Sequence, residues 1–274
     1  MIGALAAVGA VGAAAAAGAS ARWNWWRPVV TGGMPTLMYH KIGDYPPGSN
    51  LAKLWVTDAD FRRQLAWLKA NGYESITFAD WRDAEKGLKP LPAKPVLITF
   101  DDGYMNNYEL AYPALREFGM KGCVFLVYEA MDAHNAWHDP AGEPWLKMLT
   151  WAQIDEMQRS GVIEFGSHTM KHRNLATLPL DQVRWELTES KKRLEDKLGR
   201  EMVGFAYPYG SGAYKPDVRA AALEAGYRFD FSIKQGISRL PWDRKAEAVR
   251  RLLIRGDDTM LDFRLNLTRG RARL

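Results

Sequence analysis

The chain has 274 residues, of which 47% are hydrophobic and 25% are charged, and it carries a formal net charge of +5. This composition excludes a disordered or fibrous chain, and the length suffices for one large domain with a full core. The one cysteine, Cys123, excludes intrachain disulfides, and because it lies in an apolar run we predict that it is buried in the core. The sequence has no zinc-finger spacing, RNP-like motif or basic helix, so a nucleic-acid partner is not expected.

The N-terminal residues form an apolar segment. Residues 1–19 carry no charged side chain, and about 20 apolar residues can span a bilayer. A small-residue motif at 19–21 is typical of signal-peptide cleavage, but arginines follow the apolar run instead of preceding it. Three tryptophans typical of a membrane interface come next: Trp23, Trp25 and Trp26. We interpret residues 1–27 as an anchor or signal segment. This predicts a bacterial-type envelope protein that is anchored in the inner membrane, periplasmic or secreted, with a cytoplasm-facing domain as the alternative.

From residue 34 onward, short apolar runs alternate with helical patterns. The predicted strands cover residues 36–40, 73–77, 96–100, 122–128, 162–165, 203–207, 227–231 and 252–255. The predicted helices cover residues 58–70, 108–118, 150–160, 180–198, 215–225 and 261–268. Strands that alternate with helices across short connections predict a parallel sheet. At this length the sheet is predicted to close into a distorted (β/α) barrel of seven to eight parallel strands, as a single domain over residues 34–274.

Two local signals refine this pattern. Pro113 predicts a kink or a helix start within 108–118, and Thr150 with Gln153 forms a capping-box pattern. The connection over 129–149 is long, contains proline and glycine and has no clear period, which is typical of a binding loop.

Chemistry-bearing residues follow several predicted strands. They are His40 after the first, Asp101 and Asp102 after the third, His168 and His172 after the fifth, and Pro208 and Tyr209 after the sixth. Active sites of α/β barrels lie beyond the C-terminal ends of the strands, so these residues are predicted to share one rim. A turn stabilised by aspartate is the simpler explanation of the Asp-Asp-Gly sequence taken alone.

The two rim histidines have metal-ligand spacing. His168 and His172 are four residues apart, so on a helical turn both imidazoles could reach one ion. A carboxylate would complete a two-histidine, one-carboxylate set with open positions for water and substrate. His134 and His138 have the same spacing, but they lie in the long loop, and we interpret them as surface or loop residues.

Three spaced motifs resemble those of polysaccharide deacetylases, the NodB-homology domain of carbohydrate esterase family 4. They are Thr99-Phe100-Asp101-Asp102-Gly103-Tyr104, Ser167-His168-Thr169-Met170-Lys171-His172 and Tyr207-Pro208-Tyr209-Gly210. The opening Leu37-Met38-Tyr39-His40 is similar to the branch that acts on poly-N-acetylglucosamine. The resemblance implies a hydrolase that removes N-acetyl groups from an amino-sugar polymer or glycoconjugate of the envelope.

The resemblance also implies residue roles. Asp102, His168 and His172 would hold a divalent metal, with Zn²⁺ preferred over Co²⁺, Ni²⁺ or Mn²⁺, and Asp101 would be the general base. The metal and the backbone N–H of Tyr209 would stabilise the oxyanion.

The sequence departs from the family pattern at two positions. No histidine follows His172, so the late histidine that serves many members as general acid is missing, and His40 is the predicted substitute. The arginine that precedes the Pro-Tyr-Gly motif in many members is replaced by Ala206-Tyr207. Arg251 or Arg255, near the last strand, could support the base instead.

Substrate contacts are predicted from position. Tyr104, Pro208 and Tyr209 adjoin the motifs, and Trp137, Trp145 and Trp151 lie in or beside the long loop, where an indole could stack on a sugar. The C-terminal arginines, Arg264, Arg269 and Arg271, indicate either a solvated tail or a contact with anionic lipid headgroups or an acidic glycan. Two alternatives stay open: a deacetylase or deformylase of a small or lipid-linked sugar, and a non-catalytic glycan-binding module.

Overall fold

The structure is a computed structural model that describes residues 23–273. The predicted anchor or signal segment over residues 1–27 therefore lies mostly outside the described residues. Within residues 23–273, none of the helices has the length and apolar character needed to cross a membrane.

Seven parallel strands close a barrel, as predicted. In ring order they are β2 (Thr36–Tyr39), β12 (Val249–Leu253), β10 (Phe229–Gln235), β9 (Gly204–Ala206), β8 (Ile163–Ser167), β7 (Gly122–Leu126) and β6 (Pro95–Phe100), and β6 pairs back onto β2. An eighth strand, β5 (Glu74–Ile76), lies outside the ring. It pairs with residues 95–97 of β6, and β7 pairs with the same edge of β6 at Thr99 and Phe100. The ring therefore closes through β7 and does not include β5.

The largest errors in the predicted strand bounds concern two strands. The strand predicted over 252–255 begins three residues earlier, at Val249, and the strand predicted over 227–231 extends to Gln235. Both missed stretches contain charged residues. Arg251 is buried inside the barrel, where its charge is paired with Asp101. The strand is therefore buried although its sequence is partly polar.

Seven α-helices lie within the described residues. They are α1 (Asp58–Ala70), α2 (Phe78–Glu85), α3 (Tyr112–Phe118), α4 (Trp151–Arg159), α5 (Leu180–Leu198), α6 (Pro216–Glu224) and α7 (Met260–Arg269). Pro113 lies in the first turn of α3, after a π-helical turn over Asn107–Ala111. The predicted capping box of Thr150 and Gln153 starts α4. The sequence prediction missed α2, although Thr77 and Asp80 form a capping box at its start.

The missed helix closes the amino end of the barrel. Phe78 of α2 packs against Phe125 and Phe231 of the barrel interior, and Trp81 stacks on Phe229 at 4.1 Å. The predicted burial of Cys123 is confirmed, since it belongs to this same apolar cluster. The buried carboxylate of Glu164 lies beside this helix and accepts the Ala79 N–H at 2.9 Å.

The two ends of the described chain meet beside the barrel. The strands β1 (Gly33–Met34) and β11 (Ser238–Arg239) form one short pair, and β3 (Lys41–Ile42) and β4 (Trp55–Val56) form another. The Asn24 backbone N–H donates to Ala272 O at 2.7 Å, and Trp23 Nε1 donates to Asp262 of α7 at 2.8 Å. The C-terminal residues are thus held at the edge of the barrel mouth.

Candidate active site and metal centre

The turn after β6 separates the two adjacent carboxylates. Asp102 has φ 78° and Gly103 has φ 86°, so the chain leaves the strand in the left-handed region. For a non-glycine residue this conformation is strained, and such strain is concentrated at functional sites. Asp101 continues the inward face of β6, whereas Asp102 is redirected towards the loop after β8.

Asp101 is locked by Arg251. Two guanidinium nitrogens of Arg251 donate to the two oxygens of Asp101 at 2.6 and 2.8 Å, and Arg251 Nε donates to Ser232 O at 2.9 Å. Both side chains are buried. Burial opposes ionisation of Asp101, but Arg251, His168 and His40 together outweigh it, so the pKa of Asp101 lies below its usual value. Of the two arginines predicted to support the base, Arg251 makes this contact.

Asp102, His168 and His172 converge on one buried point. Asp102 Oδ1 lies 3.3 Å from His168 Nε2 and 3.2 Å from His172 Nε2, and the three potential ligand atoms lie within 4.8 Å of one another. Burial would raise the pKa of Asp102, but the two imidazoles lower it well below its usual value. This geometry could hold a divalent metal.

The hydrogen bonds around these residues fit a cation. His168 Nδ1 lies 2.8 Å from Ala206 O, which can only accept, so Nδ1 carries the proton and Nε2 presents a lone pair to the site. Asp102 Oδ1 has no hydrogen-bond partner among residues 23–273. A buried carboxylate oxygen that faces an imidazole lone pair is unfavourable unless a positive charge lies between them. The donor set of two imidazoles and one carboxylate suits zinc and neighbouring transition metals.

Two aromatic residues frame His172. The Trp137 ring stacks on its imidazole with centroids 4.3 Å apart, and the Tyr209 ring meets it edge-on at 4.6 Å. Tyr209 has φ 57°, and Pro208 before it is buried. The long loop thus brings Trp137 over the ligand group, which its sequence pattern could not fix.

His40 lies on the other side of Asp101. Its Nε2 is 4.0 Å from Asp101 Oδ2, and burial lowers the pKa of His40, although Asp101 and Asp102 oppose the shift. Tyr104 is buried beside the centre, and burial together with the charge of Asp102 raises the pKa of its hydroxyl well above the usual value.

A cavity of about 630 Å³ opens at this rim. Eight of the predicted site residues line it: His40, Asp101, Asp102, Tyr104, Trp137, His168, His172 and Tyr209. The other two, Pro208 and Arg251, are buried and do not line it. His134 and His138 both lie in the long loop, as predicted; His134 is exposed, whereas His138 also lines the cavity. Trp145 and Trp151 do not line it. Trp145 is exposed, and Trp151 packs against Tyr128.

The far wall of the cavity includes Arg255, which was predicted as an alternative support for the base, and Arg271, which was predicted as a solvated or anion-binding residue. It also contains Arg273, together with Gln235 and Asp258. Arg271 and Arg273 follow α7 and reach the cavity because Ala272 and Arg273 are bonded to residues 23 and 24. Such a contact between the two ends of the chain has no local sequence signal.

A buried ion pair anchors the long loop. Lys41 Nζ lies 3.0 Å from Glu143 Oε1, and Glu143 Oε2 accepts from Ser49 Oγ at 2.6 Å and from the Leu51 N–H at 3.2 Å. Lys41 also lies 4.8 Å from the Tyr104 ring centroid. The pair ties residues 129–149, and with them Trp137, to the β3 region.

A Lys41→Met variant is therefore expected to lower the free energy of unfolding by about 3 kcal/mol, because it leaves Glu143 buried without its partner. It should also speed proteolysis within residues 129–149, as measured by peptide mapping. Lys192→Met, which removes an exposed lysine of α5, is the matched control and should change neither quantity. An unchanged cleavage rate in Lys41→Met would contradict the anchoring role.

Comparisons with known proteins agree with this geometry. The sequence model of the family described as polysaccharide deacetylase matches residues 88–229. The Bacillus subtilis protein YxkH, named as a polysaccharide deacetylase, is 31% identical over 77% of this chain and 68% of its own length. The poly-beta-1,6-N-acetyl-D-glucosamine N-deacetylase of Escherichia coli K12 is 24% identical over 86% of this chain, which spans 39% of that relative.

Solved structures give the same result. The Streptococcus pyogenes deacetylase PplD, solved in complex with acetate, superposes with a TM-score of 0.69 at 25% identity and covers 82% of this chain and 93% of its own. BC0361, a polysaccharide deacetylase from Bacillus cereus, superposes with a TM-score of 0.71 at 27% identity and covers 86% of this chain and 69% of its own. The chain belongs to the polysaccharide deacetylase family and is a hydrolase of that family.

Proposed function

We propose that the chain is a metal-dependent deacetylase that removes N-acetyl groups from an amino-sugar polymer or glycoconjugate of the cell envelope. The observation that carries this proposal is the union, in one cavity, of an arginine-locked carboxylate and a buried Asp-His-His group. The first suits a general base and the second suits a divalent cation. Metal-dependent amide hydrolysis uses both functions at one carbonyl.

We assign the metal to Asp102, His168 and His172, with zinc as the preferred ion. When bound, a divalent ion supplies Lewis acidity, which lowers the pKa of water and polarises an amide carbonyl. The Ala206 carbonyl fixes the tautomer of His168, and the Trp137 ring restricts the rotation of His172.

Asp101 and His40 divide the proton transfers. Asp101 takes a proton from the attacking water, and Arg251 keeps it ionised and correctly oriented. His40 gives a proton to the departing amine nitrogen, and its lowered pKa makes its protonated form the stronger acid. The backbone N–H of Tyr209 stabilises the developing oxyanion.

We also propose that the enzyme is held at a membrane through residues 1–27. Trp25, Trp26 and Val29 are exposed and follow directly on the apolar segment, which supports an interfacial position for them. Trp23 is half-buried against α7, so it belongs to the domain. A fractionation assay that compares the full chain with a Trp25→Ala/Trp26→Ala variant tests this placement, and full release of the unaltered chain by a buffer wash without detergent would oppose it.

The reaction is tested by acetate release from N-acetylglucosamine oligomers by the full chain. We expect turnover that a chelator abolishes and added zinc restores. Binding of the oligomers without acetate release by the metal-loaded protein would favour a glycan-binding module instead. If acetate is released only from a lipid-linked sugar, the proposed deacetylation is correct but the proposed substrate is wrong.

A His172→Ala variant is expected to lose the metal, because two ligands bind a divalent ion far more weakly than three. Elemental analysis after dialysis should find about stoichiometric metal in the unaltered chain and almost none in the variant. His134→Ala, which alters an exposed histidine of the long loop, should keep the metal. Stoichiometric metal in His172→Ala would remove this residue from the ligand set.

A further inference from the structure

His172 reaches the candidate metal centre from a strained loop and not from a strand. His168 directly follows β8, and its backbone N–H donates to Leu126 O at 2.8 Å, so the hydrogen bonds of the sheet fix its position. Thr169 and His172 have φ 74° and φ 55°, which is unfavourable for residues that carry a Cβ atom. Such a conformation persists only where the surrounding structure enforces it. Other contacts must therefore hold residues 168–172, which we call the ligand loop.

The carboxylate of Glu186 makes the central contact. Glu186 lies on α5 and is fully buried, and its Oε2 accepts the Met170 N–H at 2.9 Å and the Lys171 N–H at 3.1 Å. These two amides lie between His168 and His172 in the chain. One oxygen atom of one helix residue thus binds the middle of the ligand loop.

Backbone groups hold the other side of the ligand loop. The Thr169 carbonyl accepts the Tyr128 N–H at 3.1 Å, and the Met170 carbonyl accepts the Glu129 N–H at 3.0 Å. The His172 N–H donates to Thr169 Oγ1 at 3.0 Å. The loop therefore lies between α5 and the residues that follow β7. All of these contacts are made within the protein, so they can order the loop before an ion binds.

The burial of Glu186 is costly for the fold. Its second oxygen, Oε1, has no hydrogen-bond partner among residues 23–273, and within the same residues the carboxylate forms no ion pair. An apolar side chain at this position of α5 could pack without that desolvation cost. The contacts of the carboxylate are with the ligand loop, so the loop explains its presence better than the packing of the helix does.

We propose that Glu186 is a positioning residue for the metal centre, which holds the ligand loop so that His172 meets the ion together with the other two ligands. This inference rests on the proposed function, because it takes Asp102, His168 and His172 as the ligands. Ligands that are already in place lose less conformational entropy on binding an ion than ligands that must first be ordered. Loosening the loop should therefore weaken metal binding although no ligand is removed.

Two conservative variants separate the position of this carboxylate from its charge. Glu186→Asp keeps the charge, but its side chain is shorter by one carbon–carbon bond, about 1.5 Å, so the carboxylate is withdrawn from the loop. Glu186→Gln removes the charge but keeps an oxygen of the same reach, and an amide oxygen can accept both N–H groups. The control is Glu195→Asp. Glu195 also lies on α5 and accepts a loop N–H, that of Met202, at 2.9 Å, and it does not line the cavity.

Zinc dissociation constants are measured on the full chain by competition with a chromophoric chelator. Amide hydrogen exchange across residues 167–174 and urea unfolding are measured with excess chelator, so they report on the metal-free protein. We expect Glu186→Asp to bind zinc about 10- to 100-fold more weakly, as for the loss of other partners that orient a metal ligand, and to exchange these amides faster. Glu186→Gln and Glu195→Asp should keep both properties close to those of the unaltered chain.

Unchanged zinc affinity in Glu186→Asp would overturn the positioning role, even if urea unfolding showed a less stable protein, because the residue would then support only the fold. Equal weakening in Glu186→Gln would also overturn it, since the charge and not the reach of the side chain would be responsible. Weakening in Glu195→Asp would overturn it as well, because any loosening of α5 would have the same effect.

The proposed function can be judged separately. If the unaltered chain binds zinc and releases acetate, failure of the Glu186 test leaves the proposed function intact and removes only the positioning role. If the unaltered chain binds no zinc, the proposed metal centre is wrong and the positioning role is overturned with it.

Discussion

An Asp101→Asn variant is expected to bind zinc as the unaltered chain does and to lose about 10²- to 10⁴-fold of its turnover. Asparagine has nearly the same shape as aspartate and can still accept one hydrogen bond from Arg251, but it cannot take a proton from water. Acetate release and elemental analysis of the same preparation measure the two properties. Loss of turnover with full metal occupancy separates the base from the metal ligands.

The matched control for this substitution is Asp230→Asn. Asp230 is also a buried aspartate that pairs with an arginine, Arg219, at 2.8 Å, and it does not line the cavity. This control should keep both metal and turnover, so a general effect of removing a buried carboxylate would be detected there. Full turnover in Asp101→Asn would show that another group accepts the proton, and the assignment of the base would be wrong.

The repeating part of the fold could be predicted from sequence because its signals are local. Apolar runs of four to seven residues and the stop glycines of the helices located the barrel strands and six helices. Helix α2 escaped because it is short and its apolar residues, Phe78 and Trp81, face the interior of the barrel and not a helical layer. The predicted strand began too late in β12 because a charged residue such as Arg251 is usually found at the surface. The burial of Arg251 depends on its contact with Asp101, 150 positions earlier in the chain.

The centre of the site could be predicted because it consists of short motifs placed at the ends of strands. The choice between Arg251 and Arg255 could not be made, since both lie near the last strand and only the inward face of β12 decides it. His138 and the two C-terminal arginines of the far wall were not predicted as lining residues, because the long loop and the C-terminal residues are positioned by tertiary contacts such as Lys41 with Glu143. The motifs thus indicate the reaction, whereas the loops that select the substrate need the structure.

An Arg251→Met variant is expected to destabilise the metal-free protein by about 3–5 kcal/mol and to reduce turnover in the metal-loaded protein. The guanidinium makes two hydrogen bonds to Asp101, so its removal leaves a buried carboxylate without compensation. The combined variant Asp101→Asn/Arg251→Met leaves no buried charge without a partner at this position. The combined loss should therefore be smaller than the sum of the two single losses, with a coupling energy of about 2 kcal/mol.

Urea unfolding in the presence of a chelator measures this cycle, because bound metal would add its own stabilisation and would partly neutralise Asp101. The pair Arg219 and Asp230 provides a parallel cycle; neither residue lines the cavity, although Asp230 accepts a hydrogen bond from Tyr207, which does, and a similar coupling energy there should leave turnover unaffected. Strictly additive losses for Asp101 and Arg251 would mean that the ion pair does not hold the base in its charged state. Coupling together with lost turnover would mean that one arginine supports both the fold of the barrel interior and the proton acceptor at its mouth.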